Sequence, residues 1–160
     1  MSTLKNKSSI SLSVSCLPNC EKEVKKLFWA ILDDYCNRFN TKLGKEKVRV
    51  QICLVEYEHD GGSAGVTSYS ESEGRILIQL RDPFLSDWEP NMYMMDRFIC
   101  ILCHEIIHAC QYLTGRKGFR IPKAKWDRAN DKERYFFDPV EVEARALEGL
   151  YASLYGHYVL

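Results

Sequence analysis

From Asp96 to Leu113 the chain reads DRFICILCHEIIHACQYL, with the H-E-x-x-H of His104, Glu105 and His108 set among apolar residues. Phe98, Ile99, Ile101, Leu102, Ile106, Ile107 and Leu113 commit this helix to burial, so the fold has to be built around it. Polar groups in the middle of a buried helix need partners, because an unpaired one costs about 1–3 kcal/mol. A helix turns about 100° per residue, so His104 and His108 project from one face about 40° apart. Two imidazoles so placed can share a metal ion. Glu105 lies about 60° round from His108 and can hold a carboxylate against metal-activated water, as a general base would.

A catalytic zinc takes three protein ligands and keeps one position for water. The two remaining histidines are poor candidates: His59 sits beside a glycine turn and His157 among the last residues. The carboxylates downstream are better placed. Asp138-Pro139-Val140-Glu141 reads as a helix start, with Asp138 as cap and Pro139 at the first helical position. That helix is expected to run to about Tyr155 and carries Glu141, Glu143 and Glu148.

H-E-I-I-H followed by an E-x-x-A helix resembles the gluzincin type of zincin metallopeptidase, over the second half of the chain from about Arg75. The resemblance implies a bound Zn2+ whose third ligand is a glutamate on the later helix. It also implies an α+β, zincin-like fold. In that fold a small, twisted, mostly antiparallel sheet packs on an N-terminal helix and on the motif helix, and an edge strand borders the substrate cleft. Two glutamates fit the third position. Glu141 matches the family string, with the small Ala144 three residues on, and stands at a helix N-terminus where related zincins present the ligand; it could otherwise complete a capping box. Glu143 begins a second such string, ending at Ala146, and falls in the apolar stripe of Val140, Leu147, Leu150 and Leu154, where a buried carboxylate asks for a cation. Glu141 is the preferred ligand and Glu143 the alternative. Related zincins often carry an acidic residue four positions after the ligand to orient a histidine. Here that position holds Arg145 or Leu147, so the groups behind the ligands must differ.

The expected chemistry is zinc-dependent hydrolysis of a peptide or protein substrate, with Glu105 moving the proton. Tyr135, Arg145, Tyr151 and His157 are candidate stabilisers of the developing oxyanion. A different class of function stays open: a zincin-like module that binds metal or docks a partner without cutting peptides.

The rest of the chain supplies the frame. Residues 1–8 are expected to form a flexible tail and residues 9–160 a single domain, whose 46% apolar content suffices for one core. Ile10, Leu12 and Val14 alternate as in a strand, and Val24 to Phe39 recur at helical spacing after Pro18-Asn19. That helix is read as scaffold. Val48 to Leu54 alternate again, a turn is expected at Asp60-Gly61-Gly62, and Gly65–Tyr69 with Arg75–Leu80 read as a hairpin whose first strand is an edge. Trp88 and Tyr93 are expected as packing residues in the connection bounded by Pro83 and Pro90, and Thr114-Gly115 as the stop of the motif helix.

Lys plus Arg equals Asp plus Glu at 22 each, which gives no reason to expect nucleic acid or an anionic membrane. The exception is the basic stretch 116–128, readable as a solvated loop, a flap over the metal or a docking surface that leaves nucleic acid open. With no secretory signal or membrane span in view, and seven cysteines, the expected setting is the cytoplasm or another reducing intracellular compartment. Cys100-Ile101-Leu102-Cys103-His104 also spells the C-x-x-C-H of haem attachment, but that reading leaves Glu105 and His108 unexplained. A zinc site from Cys16, Cys20, Cys100 and Cys103 lacks suitable pairing of its two halves.

Overall fold

The computed structural model describes residues 6–15, 20–55, 64–81, 92–116 and 136–159. Outside them lie the expected turn at 60–62, His59, Trp88, Tyr135, Cys16, the start signals Pro18 and Asn19, residues 1–5 of the tail and the basic stretch beyond Arg116; of Tyr93 only the helical backbone is described. The elements in order are β1 (Ile10–Ser15), α1 (Glu21–Arg38), β2 (Val48–Val55), β3 (Gly65–Ser70), β4 (Arg75–Arg81), α2 (Met92–Thr114) and α3 (Pro139–Tyr155). Short 3-10 turns at Lys7–Ser9 and Gly156–Tyr158 flank them.

This is an α+β fold with a four-stranded mixed sheet and, among the described residues, three α-helices. The sheet order is β1-β2-β4-β3. β1 pairs parallel to β2, β2 parallel to β4, and only β3 and β4 run antiparallel. The expectation of a mostly antiparallel sheet is therefore corrected: two of its three ladders are parallel. The misreading has a physical origin. Parallel strands are usually buried on both faces and read as continuous apolar runs, whereas these alternate because the helices pack on one face. Val50, Ile52, Ile76, Ile78 and Leu80 point inward, while Arg49, Gln51, Leu77 and Gln79 lie on the more exposed face. The crossover through α1 makes β1 and β2 parallel, and the chain returns from the far edge through β3 to place β4 at the centre.

The expected hairpin is present, with β3 as the edge strand in register Thr67 to Ile78. α1 lays Val24, Leu27, Phe28, Ile31, Leu32 and Tyr35 into the core, and its N-cap is Cys20, which makes no side-chain capping bond. α2 begins a turn earlier than expected and stops at Gly115, whose φ of +55° suits glycine and ends the helix. α3 starts as expected, the Asp138 side chain accepting from the Val140 amide at 2.9 Å. Its buried face is Val140, Glu141, Ala144, Leu147 and Tyr151; Leu150 and Leu154, expected in the same stripe, are 38% and 44% exposed. α3 packs chiefly on α2, and this contact builds the site.

Candidate metal centre

Buried Phe98, Ile99, Leu102, Cys103, Ile106, Ile107 and Cys110 fix the rotation of α2 against the core. His104 and His108 consequently face α3, and Glu105 faces the edge strand. His104 Nε2 and His108 Nε2 are 3.1 Å apart. Glu141 brings Oε2 to 3.1 Å from the first and Oε1 to 3.2 Å from the second. These three residues form a group that could hold a metal ion. A tetrahedral ion bound at about 2.0–2.2 Å keeps its ligand atoms about 3.3 Å apart, close to the spacing found.

The hydrogen bonds behind the group sharpen this fit. Gln111, fully buried, donates its amide NH2 to the Val140 carbonyl at 2.9 Å and to Glu143 Oε2 at 2.8 Å. Both partners are acceptors, so Gln111 Oε1 must be the atom facing His108 Nδ1 at 2.8 Å, and that nitrogen must carry hydrogen. On the other ring Glu148 Oε2 stands 2.6 Å from His104 Nδ1 and accepts from it in the same way. With both Nδ1 atoms donating, both Nε2 lone pairs turn toward each other and toward the Glu141 carboxylate. Three acceptors at contact distance with no donor between them require a cation or a proton.

In the metal-free protein a proton takes that role. Burial lowers the basicity of His104, but hydrogen bonds to Glu141 and Glu148 outweigh it and hold the imidazole up to about 10. Burial works against the Glu141 carboxylate, yet its bonds to His104 and His108 hold it well below the usual carboxylate range. The sign of the pH dependence follows. Below about 10 the metal must displace a proton from His104, so metal affinity rises with pH across the neutral range and binding releases protons. Calorimetric zinc titrations in buffers of different ionisation enthalpy should show that release; none at pH 7 would contradict it.

Glu143, the alternative ligand, is held elsewhere. Its oxygens accept from Tyr35 Oη at 2.8 Å, from Gln111 at 2.8 Å and from Arg116. Arg116 in turn donates to Tyr35 Oη at 2.9 Å and lies over the Phe39 ring at 3.6 Å. The cation that a buried Glu143 demands is thus a guanidinium, and the first residue of the basic stretch is part of the packed structure. α1 is more than apolar scaffold: Tyr35 reaches Glu143, and Asp34 accepts from Tyr151 at 2.9 Å and Tyr155 at 3.0 Å.

Sequence reasoning missed Glu148 and Gln111 as the groups that orient the histidines. Glu148 lies seven residues, two turns, after Glu141 on the same face, a spacing readable in the chain. Truncating either, as Glu148→Ala or Gln111→Ala, should weaken zinc binding about 10–100-fold, measured by competition with a chelating dye. Unchanged affinity in both would show that the two residues do not act through the histidines.

Glu105 is 5% exposed and accepts from the Thr67 hydroxyl of β3 at 2.5 Å. The same hydroxyl faces the Glu105 carbonyl at 3.1 Å. β3 approaches α2 this closely because residue 65 is glycine: a Cβ there would stand 2.9 Å from Glu105 Cγ and 3.0 Å from Ile101 Cγ2. Ala64, Gly65, Arg97, Cys100, Ile101, His104, Glu105 and Glu148 line a cleft of about 330 Å3.

Of the described oxyanion candidates, none lines this cleft. Tyr151 is buried and bonded to Asp34, Arg145 bonds the Phe136 carbonyl, and His157 is exposed in the 3-10 turn. The six described cysteines are free thiols, and burial pushes Cys36 up to about 11 and Cys103 up to about 12. Among the described residues no helix is long and apolar enough to cross a membrane. Comparison of the chain with protein-family models, curated proteins and solved structures finds no match.

Proposed function

We propose that the protein is a zinc-dependent metallopeptidase of the zincin type, with His104, His108 and Glu141 holding the metal and Glu105 acting as general base. The observation that carries the reading is the set of three mutually facing acceptors, 3.1–3.2 Å apart, beside a buried carboxylate that opens on the same cleft. Two imidazoles and a carboxylate are a donor set suited to zinc with one position left open. Zinc bound there would supply Lewis-acid chemistry, polarising a carbonyl and making water acidic enough to attack it.

The chain's own residues do the remainder. Glu105 takes a proton from water and returns it to the leaving amine; its carboxylate is kept in one orientation by Thr67, so little ordering is needed at the moment of transfer. Glu148 and Gln111 hold the two imidazoles in the tautomer that presents Nε2 to the metal. β3 lies at the edge of the described sheet, and its backbone beyond Gly65 could pair with an extended peptide beside the cleft.

The test is metal analysis of the purified protein together with casein or peptide hydrolysis by the zinc-loaded form. About one zinc per chain with chelator-sensitive hydrolysis is expected. Zinc without hydrolysis would leave a metal-binding module, and failure to bind zinc would remove both readings.

A further inference from the structure

The cleft contains one lysine or arginine among its described lining residues, Arg97, and nothing in the hydrolytic scheme uses it. Arg97 is on the exposed side of α2, and it makes no hydrogen bond or ion pair with the described residues. Of the two carboxylates that line the cleft with it, Glu148 is bonded to His104 Nδ1 at 2.6 Å and Glu105 to Thr67 at 2.5 Å. The exposed Arg97 lines the cleft together with Ala64 and Gly65 at the start of the edge strand.

We propose that Arg97 is a specificity-determining residue that binds a carboxylate of the peptide substrate, either an aspartate or glutamate side chain or a free C-terminus. The proposal rests on the peptidase reading for its substrate class. A planar guanidinium with five donors matches a carboxylate in a two-bond fork, which a neutral amide cannot reproduce. Position sets where the carboxylate must lie. Arg97 precedes His104 by seven residues, about 10 Å along the helix axis. An extended peptide advances about 3.3 Å per residue, so the carboxylate recognised is about three residues from the scissile bond. β3 runs beside α2 from Gly65, next to Ile101, to Tyr69, whose ring lies against that of Tyr112. A peptide laid along β3 thus passes Arg97 at one end of the cleft and the metal ligands further along.

The experiment separates binding from cutting. Zinc-loaded protein carrying Glu105→Gln is titrated, by fluorescence anisotropy, with labelled peptides of one neutral sequence that carry glutamate or glutamine at each position in turn. A second series carries a C-terminal carboxylate or its amide. One carboxylate position is expected to bind about tenfold more tightly than its neutral counterpart, about 1.4 kcal/mol, and Arg97→Gln in the same background is expected to erase that ratio. Whichever series shows the preference identifies the source of the carboxylate. No preference in either series, or a preference that persists in Arg97→Gln, overturns the proposal. Hydrolysis by the parent protein is scored independently: Arg97-dependent binding without turnover would remove the peptidase reading and keep the carboxylate subsite, while turnover indifferent to carboxylates would do the reverse.

Discussion

For a peptidase of the kind proposed, Glu105→Gln is expected to lower the rate of peptide hydrolysis about 10²–10⁴-fold while leaving zinc content and thermal stability near those of the parent. The size of the loss reflects removal of the group that accepts and returns the proton. The selectivity of the loss reflects geometry. Glutamine has the same shape, and its carbonyl oxygen can accept from the Thr67 hydroxyl as Glu105 Oε2 does. Gly65 leaves little room at this contact, so a substitution of unchanged volume is the informative one. Turnover numbers and bound zinc measured on the same preparation decide the matter. Activity within a few-fold of the parent would remove Glu105 as the base.

The second large effect distinguishes two neighbouring glutamates. Glu141→Gln removes the anionic member of the metal group and is expected to reduce zinc affinity by more than the 10–100-fold typical of groups that only orient ligands. The folded structure should survive, because among the described residues the Glu141 carboxylate bonds to the two histidines and to no other side chain. Glu143→Gln should do the opposite. It leaves three ligand atoms in place but weakens the anchor of Arg116, whose side chain is 21% exposed against 10% for Glu143. Breaking a largely buried pair costs about 3–5 kcal/mol, and the partial exposure of Arg116 brings the expected loss to about 2–3 kcal/mol. Chemical denaturation and zinc titration of both variants check this. Zinc lost from Glu143→Gln and retained by Glu141→Gln would exchange the assignments.

What could be read from the chain divides by the range of the interaction. The rotation of His104, Glu105 and His108 on one helix is a local property, as is the Asp138-Pro139 start that places Glu141 in the first turn of α3. Strand existence was legible from alternation, but alternation says only which face is covered and nothing about the direction of the neighbour, hence the misjudged sheet. Glu143 was recognised as a carboxylate in need of a cation, yet the cation came from Arg116, a residue whose sequence surroundings resemble a solvated loop. Gln111 and Glu148 stand at helical spacings from His108 and Glu141 and were within reach of a two-turn search. Thr67 was not. Its bond to Glu105 spans 38 residues and depends on strand order.

That bond also makes the hairpin a checkpoint for the chemistry. Side chains of β3 alternate between faces, so pairing with β4 displaced by one residue would turn Thr67 away from α2 and bring a neighbour with a larger demand for space to the Gly65 contact. A chain misassembled in this way could keep α2, α3 and the capacity to bind metal, yet its proton acceptor would have lost its support and met a steric obstacle. Bound zinc would then be a poor measure of correctly folded protein, and turnover per zinc a direct readout of how faithfully an edge strand found its register.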